Sequence, residues 1–307
     1  MTLPPRGKED NSSPNPFFIV GMQRSGTTML RLMLNHHRNL AVPFESGFIP
    51  VVYKQLHKYG DFALRENAAA CLHDISQLPL VQRGKLIENP DSILQYNIRS
   101  YADLVDAIFR EYAKGKGKHR WGEKTPGQAM DLDVFWEIFP GCKIIHLLRD
   151  GRDVAVSLLG VSWGSRNLMK IADQWRWNSV VAHKLGKVLR QQFLEVRYED
   201  LVRDPATELR TICEFLEEPY DENMLHYHTT ATAEMPKVSL EWHKSSVSKP
   251  DPGKVGVWKR EMSRADRIIF EQVAGDALDL FGYERENMPS SYASKVKKIY
   301  YNVWKRY

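Results

Sequence analysis

A short apolar run that ends in a glycine-rich polar loop constrains the fold of this chain more than any other feature. Residues 17–29 read FFIVGMQRSGTTM, and a helical pattern begins after Gly26. The glycines let backbone amides approach an anion, and the hydroxyls of Ser25, Thr27 and Thr28 can donate hydrogen bonds to it. The stretch therefore predicts a strand, an anion-binding loop and a helix, which is the opening unit of an α/β domain.

The loop differs from a nucleoside triphosphate loop in the position of its cation. The pattern GxxxxGK[ST] shares the spacing of Gly21 and Gly26, but Thr27 stands where that pattern has lysine. Arg24 supplies the fixed positive charge instead. Phosphate or sulfate is the predicted ligand. Two alternatives stay open: a nucleotide-dependent kinase, and a plain glycine turn whose arginine only forms an ion pair.

Other apolar runs are followed by polar clusters in the same way. NLAVP precedes FESG, CKIIHLL precedes RDGRD, and QFLEV precedes RYED. Strands that alternate with helices predict an α/β fold with a central parallel β-sheet flanked by helices. Ligands bind at the carboxyl edge of such sheets, so these clusters are expected to meet in one crevice.

The composition indicates one globular domain. The chain has 307 residues, of which 43% are hydrophobic and 26% charged, with a net charge of +5. The sequence predicts a flexible lead-in over residues 1–16, a domain over 17–288 and a C-terminal tail over 289–307. A helical insertion at about 49–118 is expected to cover the side of the crevice where an acceptor substrate would bind. Dispersed basic residues favour anionic small molecules or membrane surfaces and no nucleic acid. Because no run approaches the length of a membrane span, we expect a cytoplasmic protein.

Two of the motifs together make the sequence familiar. GMQRSGTTML followed by LLRDGRDVAVSLL resembles the PAPS-dependent sulfotransferases, in the branch that contains tyrosylprotein sulfotransferases and bacterial relatives. The resemblance covers about residues 17–282. It implies a single-domain, P-loop-like sulfotransferase fold. It also implies 3′-phosphoadenosine 5′-phosphosulfate (PAPS) as donor, 3′-phosphoadenosine 5′-phosphate (PAP) as product, and no metal.

The resemblance also places the donor-binding residues. It puts the first loop around the 5′-phosphosulfate, with these positions in contact: Gly21, Gln23, Arg24, Ser25, Gly26, Thr27 and Thr28. Arg149 and Ser157 fall on the 3′-phosphate, and an arginine at a strand end can meet a serine of the next helix there. Tyr198 matches a position near the adenine, although a half-buried aromatic residue after a strand fits equally well.

The catalytic residues are assigned by the same resemblance. Glu45 matches the glutamate base of the tyrosylprotein branch, and a carboxylate can serve if burial raises its pKa. Lys124 and Arg24 are expected to stabilise the leaving group. Lys124 could instead pair with Glu123 and only hold the turn. His146 lies inside an apolar run and reads as a buried strand residue, so no histidine base is predicted.

The rest of the nucleotide site and the acceptor are less defined by the sequence. The resemblance also implies a further cation for the nucleotide from a basic C-terminal loop near a tryptophan, here SKPDPGKVGVWKREM, in which Lys249 and Lys254 are the predicted residues and Lys259 is a further candidate. Gly47 stands where tyrosylprotein enzymes have arginine, which disfavours protein tyrosine as acceptor. We expect transfer to a hydroxyl, or less readily an amine, of a small-molecule, glycan or lipid acceptor. Trp163, Trp175 and Trp177 are aromatic candidates for the acceptor pocket, although core packing explains tryptophans as well.

The tail over residues 289–307 is basic and amphipathic. Its aromatic and aliphatic residues recur at three and four positions, as one face of a helix does, and its lysines lie mainly away from that face. Such a helix either lies on anionic lipid as a peripheral membrane contact, or docks on its own domain or on a second subunit of a homodimer.

Two functions other than sulfuryl transfer remain after the sequence is read. A kinase would need ATP and magnesium. A non-catalytic module that binds the nucleotide or a membrane would tolerate loss of the Glu45 carboxylate, because no chemistry would depend on it.

Overall fold

A parallel sheet of five strands forms the centre of the computed structural model, which describes residues 14–127 and 131–303. The strands are β1 (Phe17–Val20), β2 (Leu40–Ala41), β3 (Arg120–Lys124), β4 (Lys143–Leu148) and β5 (Phe193–Arg197). Their order across the sheet is β2-β3-β1-β4-β5, and every neighbouring pair is parallel. The predicted α/β fold with a central parallel sheet is confirmed.

Helices cover both faces of this sheet. In the described part of the chain they are α1 (Thr27–Asn35), α2 (Phe48–Tyr53), α3 (Arg65–Ser76), α4 (Pro79–Gly84), α5 (Pro90–Ile93), α6 (Tyr101–Gly115), α7 (Leu132–Ile138), α8 (Gly151–Leu159), α9 (Leu168–Leu189), α10 (Tyr198–Arg203), α11 (Pro205–Leu216), α12 (Trp258–Glu261), α13 (Arg264–Leu280) and α14 (Tyr292–Val303). Short 3-10 turns occupy Leu56–Lys58, Arg190–Gln192, Glu222–Thr229, Lys237–Trp242 and Pro252–Lys254.

The central strand β1 supplies side chains to a core on each face. Phe17 and Ile19 pack with α1 and α11, whereas Phe18 and Val20 pack with α3, α6 and α7. The ring of Phe18 stacks on that of Phe135 with centroids 4.3 Å apart. Successive residues of a strand point to opposite faces, so the unbroken apolar run FFIV is what a strand covered on both sides requires.

Strand β3 is the one strand of the sheet that the sequence analysis did not predict. Its residues RWGEK are mostly charged or small, yet every one of them is buried. Gly122 is required at its place, since a Cβ there would lie 2.3 Å from the ring of Phe17 on β1. Tertiary partners, not local pattern, therefore hold this strand in the sheet.

The segments outside the sheet complete the architecture. Helices α2 to α6 lie between β2 and β3, in the stretch where the sequence predicts a helical insertion. Most of the predicted lead-in, residues 1–13, lies outside the described residues, as do residues 304–307 of the tail. Among the helices that are described, none is both long and apolar enough to cross a bilayer.

Candidate active site

The carboxyl ends of the strands open into a cavity of about 670 Å³. Three parts of the chain supply most of its wall: the β1–α1 loop, helix α8, and residues 237–257, called here the 237–257 segment. The lining includes Gln23, Arg24, Gly26, Thr27, Thr28, Phe44, Glu45, Leu80, Arg83, Arg149, Ser157, Trp163, Tyr198, Trp242, His243, Lys254 and Arg260. Parallel topology therefore brings residues more than 200 positions apart into one crevice.

The β1–α1 loop has the geometry of an anion site. Gly26 caps α1 with φ +97°, in the left-handed region, and a Cβ there would lie 2.5 Å from the ring of Tyr198. The first turn of α1 has no acidic residue. Its leading amides, which lack helical partners, and the hydroxyls of Thr27 and Thr28 are therefore available to an anion in the cavity.

Arg24 joins the first loop to the second motif. Its Nε donates to Ser157 Oγ at 2.9 Å, and its Nη1 donates to the carbonyl of Trp242 at 2.7 Å. Burial and, next, the nearby charge of Arg149 lower the pKa of the Arg24 guanidinium. Two cations are thus held close together where an anion would relieve their repulsion.

Arg149 lies beside Arg24 at the end of β4. Its Nη1 donates to the carbonyl of Arg24 at 3.0 Å, and its Nη2 donates to the carbonyl of Lys254 at 2.9 Å. The guanidinium carbon stands 4.3 Å from the centre of the Tyr198 ring, and Nε is buried with no hydrogen-bond partner. A buried guanidinium with a spare donor is suited to a phosphate.

Glu45 and Lys124 form an ion pair under the N-terminus of α1. Lys124 Nζ lies 2.5 Å from Glu45 Oε1 and donates to Thr28 Oγ1 at 3.3 Å. Burial lowers the pKa of the Lys124 ammonium, and Glu45 opposes that effect. For Glu45, burial acts to raise the pKa, but the attraction of Lys124 and a hydrogen bond to it bring the pKa below its usual value. The sequence analysis expected burial to raise the pKa of Glu45 so that it could act as a base. While Glu45 is paired with Lys124, its pKa is lowered instead.

A hydroxyl network holds the Glu45 loop against β3. Glu123 is fully buried and accepts hydrogen bonds from Ser46 Oγ at 2.9 Å and Thr125 Oγ1 at 2.5 Å. The amide of Gly47 in turn donates to Thr125 Oγ1 at 3.0 Å. Burial raises the pKa of Glu123. Lys124 therefore pairs with Glu45, and Glu123 positions the loop.

Several predicted residues do not reach the cavity wall. Gly21 accepts from the amide of Gly127 at 2.9 Å, and Ser25 is buried beneath the loop. Lys124 is likewise buried behind its partners. Among the three candidate lysines of the C-terminal loop, Lys254 lines the cavity, whereas Lys249 and Lys259 are exposed away from it.

The tryptophan candidates separate in the same way. Trp163 lines the cavity and meets Trp242 edge to face, with centroids 6.5 Å apart. Trp175 is fully buried and donates to the carbonyl of Arg149, and Trp177 is exposed on α9. From the helical insertion only Leu80 and Arg83 line the cavity.

His243 and Arg260 line the cavity although the sequence analysis did not select them. Burial and the nearby charge of Lys124 lower the pKa of His243 to about 4, so its imidazole is neutral at pH 7. The sequence around it, EWHKSS, has no strand or helix period that would bring it to the sheet edge. The site thus holds two proton acceptors, Glu45 and His243, near one buried lysine.

A family comparison agrees with this geometry. The model of the Sulfotransferase family matches residues 16–222, which contain both strand-loop-helix motifs. The chain belongs to the sulfotransferase family. The resemblance on which the sequence analysis relied is therefore confirmed.

Known sulfotransferases match at modest identity. Protein-tyrosine sulfotransferase A of Caenorhabditis elegans is 25% identical over 254 residues, or 80% of this chain and 61% of that protein. Protein-tyrosine sulfotransferase 1 of Danio rerio is 28% identical over 215 residues, or 68% of this chain and 55% of that protein. The chain thus spans less than two thirds of the length of either relative.

One solved structure matches nearly end to end. The sulfotransferase domain of the Synechococcus PCC 7002 olefin synthase is 26% identical, with a TM-score of 0.62 over 92% of this chain and 99% of that domain. The fold of this chain is therefore a sulfotransferase fold.

Proposed function

We propose that the protein transfers a sulfuryl group from PAPS to a hydroxyl of a small-molecule, glycan or lipid acceptor, without a metal. The observation that carries this proposal is the hydrogen bond of 2.9 Å between Arg24 Nε and Ser157 Oγ. It joins the two motifs at one cavity. One nucleotide could therefore bind at both through its two phosphate ends.

The residues of the cavity fit such a donor. The α1 amides with Thr27 and Thr28 provide donors for the 5′-phosphosulfate. Arg149, with its unpartnered buried Nε, and Ser157 provide donors for the 3′-phosphate. Tyr198, already stacked against Arg149, offers a ring face near the nucleotide.

The ion pair supplies the base and the charge for leaving-group stabilisation. Bound PAPS offers a sulfuryl group whose bond to the phosphate oxygen breaks while the acceptor oxygen forms a new bond to sulfur. Glu45 takes the acceptor proton. Lys124 and Arg24 stabilise the negative charge left on the phosphate oxygen. As Lys124 turns toward that charge, Glu45 loses the cation that lowers its pKa and becomes a stronger base.

Gly47 and the cavity wall favour an acceptor other than protein tyrosine. Gly47 has φ +63° at the start of α2, where an arginine would be strained. The wall beside Glu45 carries apolar Phe44 and Leu80, with Trp163 and Trp242 further along. These surfaces fit an alcohol that has an apolar or sugar body.

Calorimetric titration with PAP in the absence of magnesium tests the donor. We expect binding by the wild type and an affinity loss of about 10- to 100-fold in Arg149→Ala, because charge-assisted hydrogen bonds to phosphate are lost. Arg264→Ala, an exposed arginine at the start of α13, is the matched control and should bind normally. No PAP binding beside magnesium-dependent ATP binding would contradict the proposal and favour a kinase.

A second measurement separates an enzyme from a binding module. PAP formation from PAPS is followed with a panel of simple phenols, sugar alcohols and long-chain alcohols. We expect Glu45→Gln to lower the rate by about 10²- to 10⁴-fold while PAP affinity stays within a few fold. Glu241→Gln, an exposed glutamate of the 237–257 segment, should be unaffected. Equal turnover in Glu45→Gln would show that this carboxylate is not the base.

A further inference from the structure

Helix α14 docks on the domain through one side. Lys297 Nζ lies 2.9 Å from Asp266 Oδ2 at the start of α13, and the carbonyl of Tyr301 accepts from Asn167 Nδ2 at 2.9 Å. Ser294, on the same side, is buried, and Tyr301 packs against the apolar core to which α8, α9 and α13 contribute. These contacts fix which side of the helix faces outward.

The outward side of α14 is apolar. Tyr292, Val296 and Ile299 are 85%, 48% and 64% exposed, and Tyr300 beside them is 57% exposed. Steps of four and three residues place them on one face of a helix. Burial of an amphipathic helix in its own domain would have turned this face inward, but the domain contacts Ser294, Lys297 and Tyr301 on the other side instead. These four residues are called the tail stripe.

The charge around the tail stripe selects its partner. Residues 289–307 contain five lysine or arginine residues and no acidic one. Lys295 is exposed beside the stripe. A second copy docked on the stripe would bring two basic helices together, whereas an anionic surface complements them. Tyrosine side chains, with an apolar ring and a polar tip, are typical of a membrane interface.

We propose that the tail stripe is a docking surface for an anionic lipid bilayer. The apolar side chains enter the acyl boundary, and Lys295 beside them binds the headgroups. The domain surface against which α14 packs lies close to the acceptor cavity. Asn167 follows the cavity residue Trp163 by four positions, and Asp266 follows the cavity residue Glu261 by five. Four residues span at most about 14 Å, so α14 lies beside the cavity, and docking would leave about one helix diameter, roughly 10 Å, between this surface and the lipid.

Docking near the cavity would give the enzyme access to an acceptor held in the membrane. That consequence rests on the proposed function, whereas lipid docking itself does not. Lipid docking and the proposed function are tested separately. Vesicle binding is measured without donor or acceptor, and PAP binding is measured without lipid.

Vesicle co-sedimentation of the full chain tests the docking. One set of vesicles is phosphatidylcholine, and in the other about a third of the lipid is phosphatidylglycerol. We expect binding to the anionic vesicles that exceeds binding to the neutral ones by about tenfold or more. The double variant Tyr292→Ser, Ile299→Ser should lose most of it. Val188→Ser, which removes a 73% exposed apolar side chain from α9, should bind like the wild type.

A charge reversal and an assembly measurement complete the test. Lys295→Glu should weaken binding to anionic vesicles about tenfold and leave PAP affinity unchanged, which shows an intact domain. Equal binding to both kinds of vesicle, or full binding by the double variant, would overturn the proposal. So would a dimer, seen by analytical ultracentrifugation, that the Ile299→Ser variant abolishes, because the stripe would then be covered by a second copy.

Discussion

The buried ammonium of Lys124 depends on the residues around it for its charge. The desolvation of a lysine costs several kcal/mol, and the Glu45 carboxylate at 2.5 Å and the hydroxyl of Thr28 offset part of that cost. Both partners line the cavity, and both lie where the donor would bind. In the proposed reaction the same pair has two roles: it keeps a charge stable inside the protein, and it keeps that charge ready for the leaving group.

The lowered pKa of His243 predicts that the stability of the fold depends on pH. In the folded chain, burial and Lys124 lower the pKa of this histidine from 6.5 to about 4. Between these values the unfolded chain binds more protons, so the free energy of unfolding rises with pH across that window and falls on acidification. We expect acidification from pH 6.5 to 4 to destabilise the wild type by up to about 3 kcal/mol more than His243→Asn, measured by urea unfolding.

The comparison with His243→Asn isolates this one group. Acidification also protonates carboxylates, but that effect is common to both proteins. Parallel pH profiles of the two proteins would mean that His243 takes up its proton in the folded state as readily as in the unfolded state. The assignment of a neutral, buried imidazole would then be wrong.

At the scale of single residues, the sequence analysis selected Arg24 and Arg149, which line the cavity, but it did not identify the contacts beside them. Arg24 and Arg149 belong to local motifs, each at a strand end, so their positions follow from the chain itself. The Glu45–Lys124 pair and the place of His243 instead depend on which strands and segments are neighbours in space. Because β3 was not predicted, the sequence analysis could not decide whether Lys124 pairs with Glu45 or with Glu123.

At the scale of elements, the β1–α1 unit depends on a backbone conformation that only glycine adopts easily. Gly26 has φ +97°, and a Cβ there would lie 2.5 Å from the Tyr198 ring, whereas Gly117, with φ +67°, has open space around its Cβ position. We expect Gly26→Ala to lower the free energy of unfolding by about 3 kcal/mol and Gly117→Ala by about 1 kcal/mol, measured by urea unfolding.

The difference between the two losses of unfolding free energy measures the cost of placing a Cβ against the Tyr198 ring. Both substitutions carry the cost of a left-handed residue, but only the first meets a ring. A smaller residue at position 198 should therefore rescue Gly26→Ala in part and leave Gly117→Ala unchanged. Equal losses in the two single variants would mean that Tyr198 moves aside without cost.

Element prediction from the sequence succeeded where the apolar pattern was local and failed where it was not. Four of the five strands coincide with apolar or alternating runs. The polar cluster after each run predicted that these residues meet in one crevice. Strand β3 carries Arg120, Glu123 and Lys124, each buried beside a polar partner from a distant segment. A charged stretch reads as a surface loop unless those partners are known.

At the scale of the whole molecule, hydrogen bonds from Arg24 and Arg149 hold the 237–257 segment in the cavity wall. Arg24 donates to the carbonyl of Trp242, and Arg149 donates to that of Lys254. Asp153 on α8 also accepts from the amides of Gly256 and Trp258, at 2.8 and 2.9 Å. A bound nucleotide would contact the β1–α1 loop, α8 and this segment together, so it should tighten all three.

PAP is therefore expected to stabilise the entire fold and to protect the 237–257 segment most. At 100 times its dissociation constant it should add about 2.7 kcal/mol, or roughly 4–6 °C in Tm. Amide hydrogen exchange should slow in the 237–257 segment and at the start of α1, because a ligand that bridges segments suppresses their local opening. In Arg149→Ala, with its roughly 10- to 100-fold lower affinity, the same PAP concentration should add only about 0.4 to 1.4 kcal/mol and give correspondingly weaker protection. A rise in Tm without added protection in that segment would mean that the nucleotide binds to the strand loops alone, and the segment would then have no part in holding the donor.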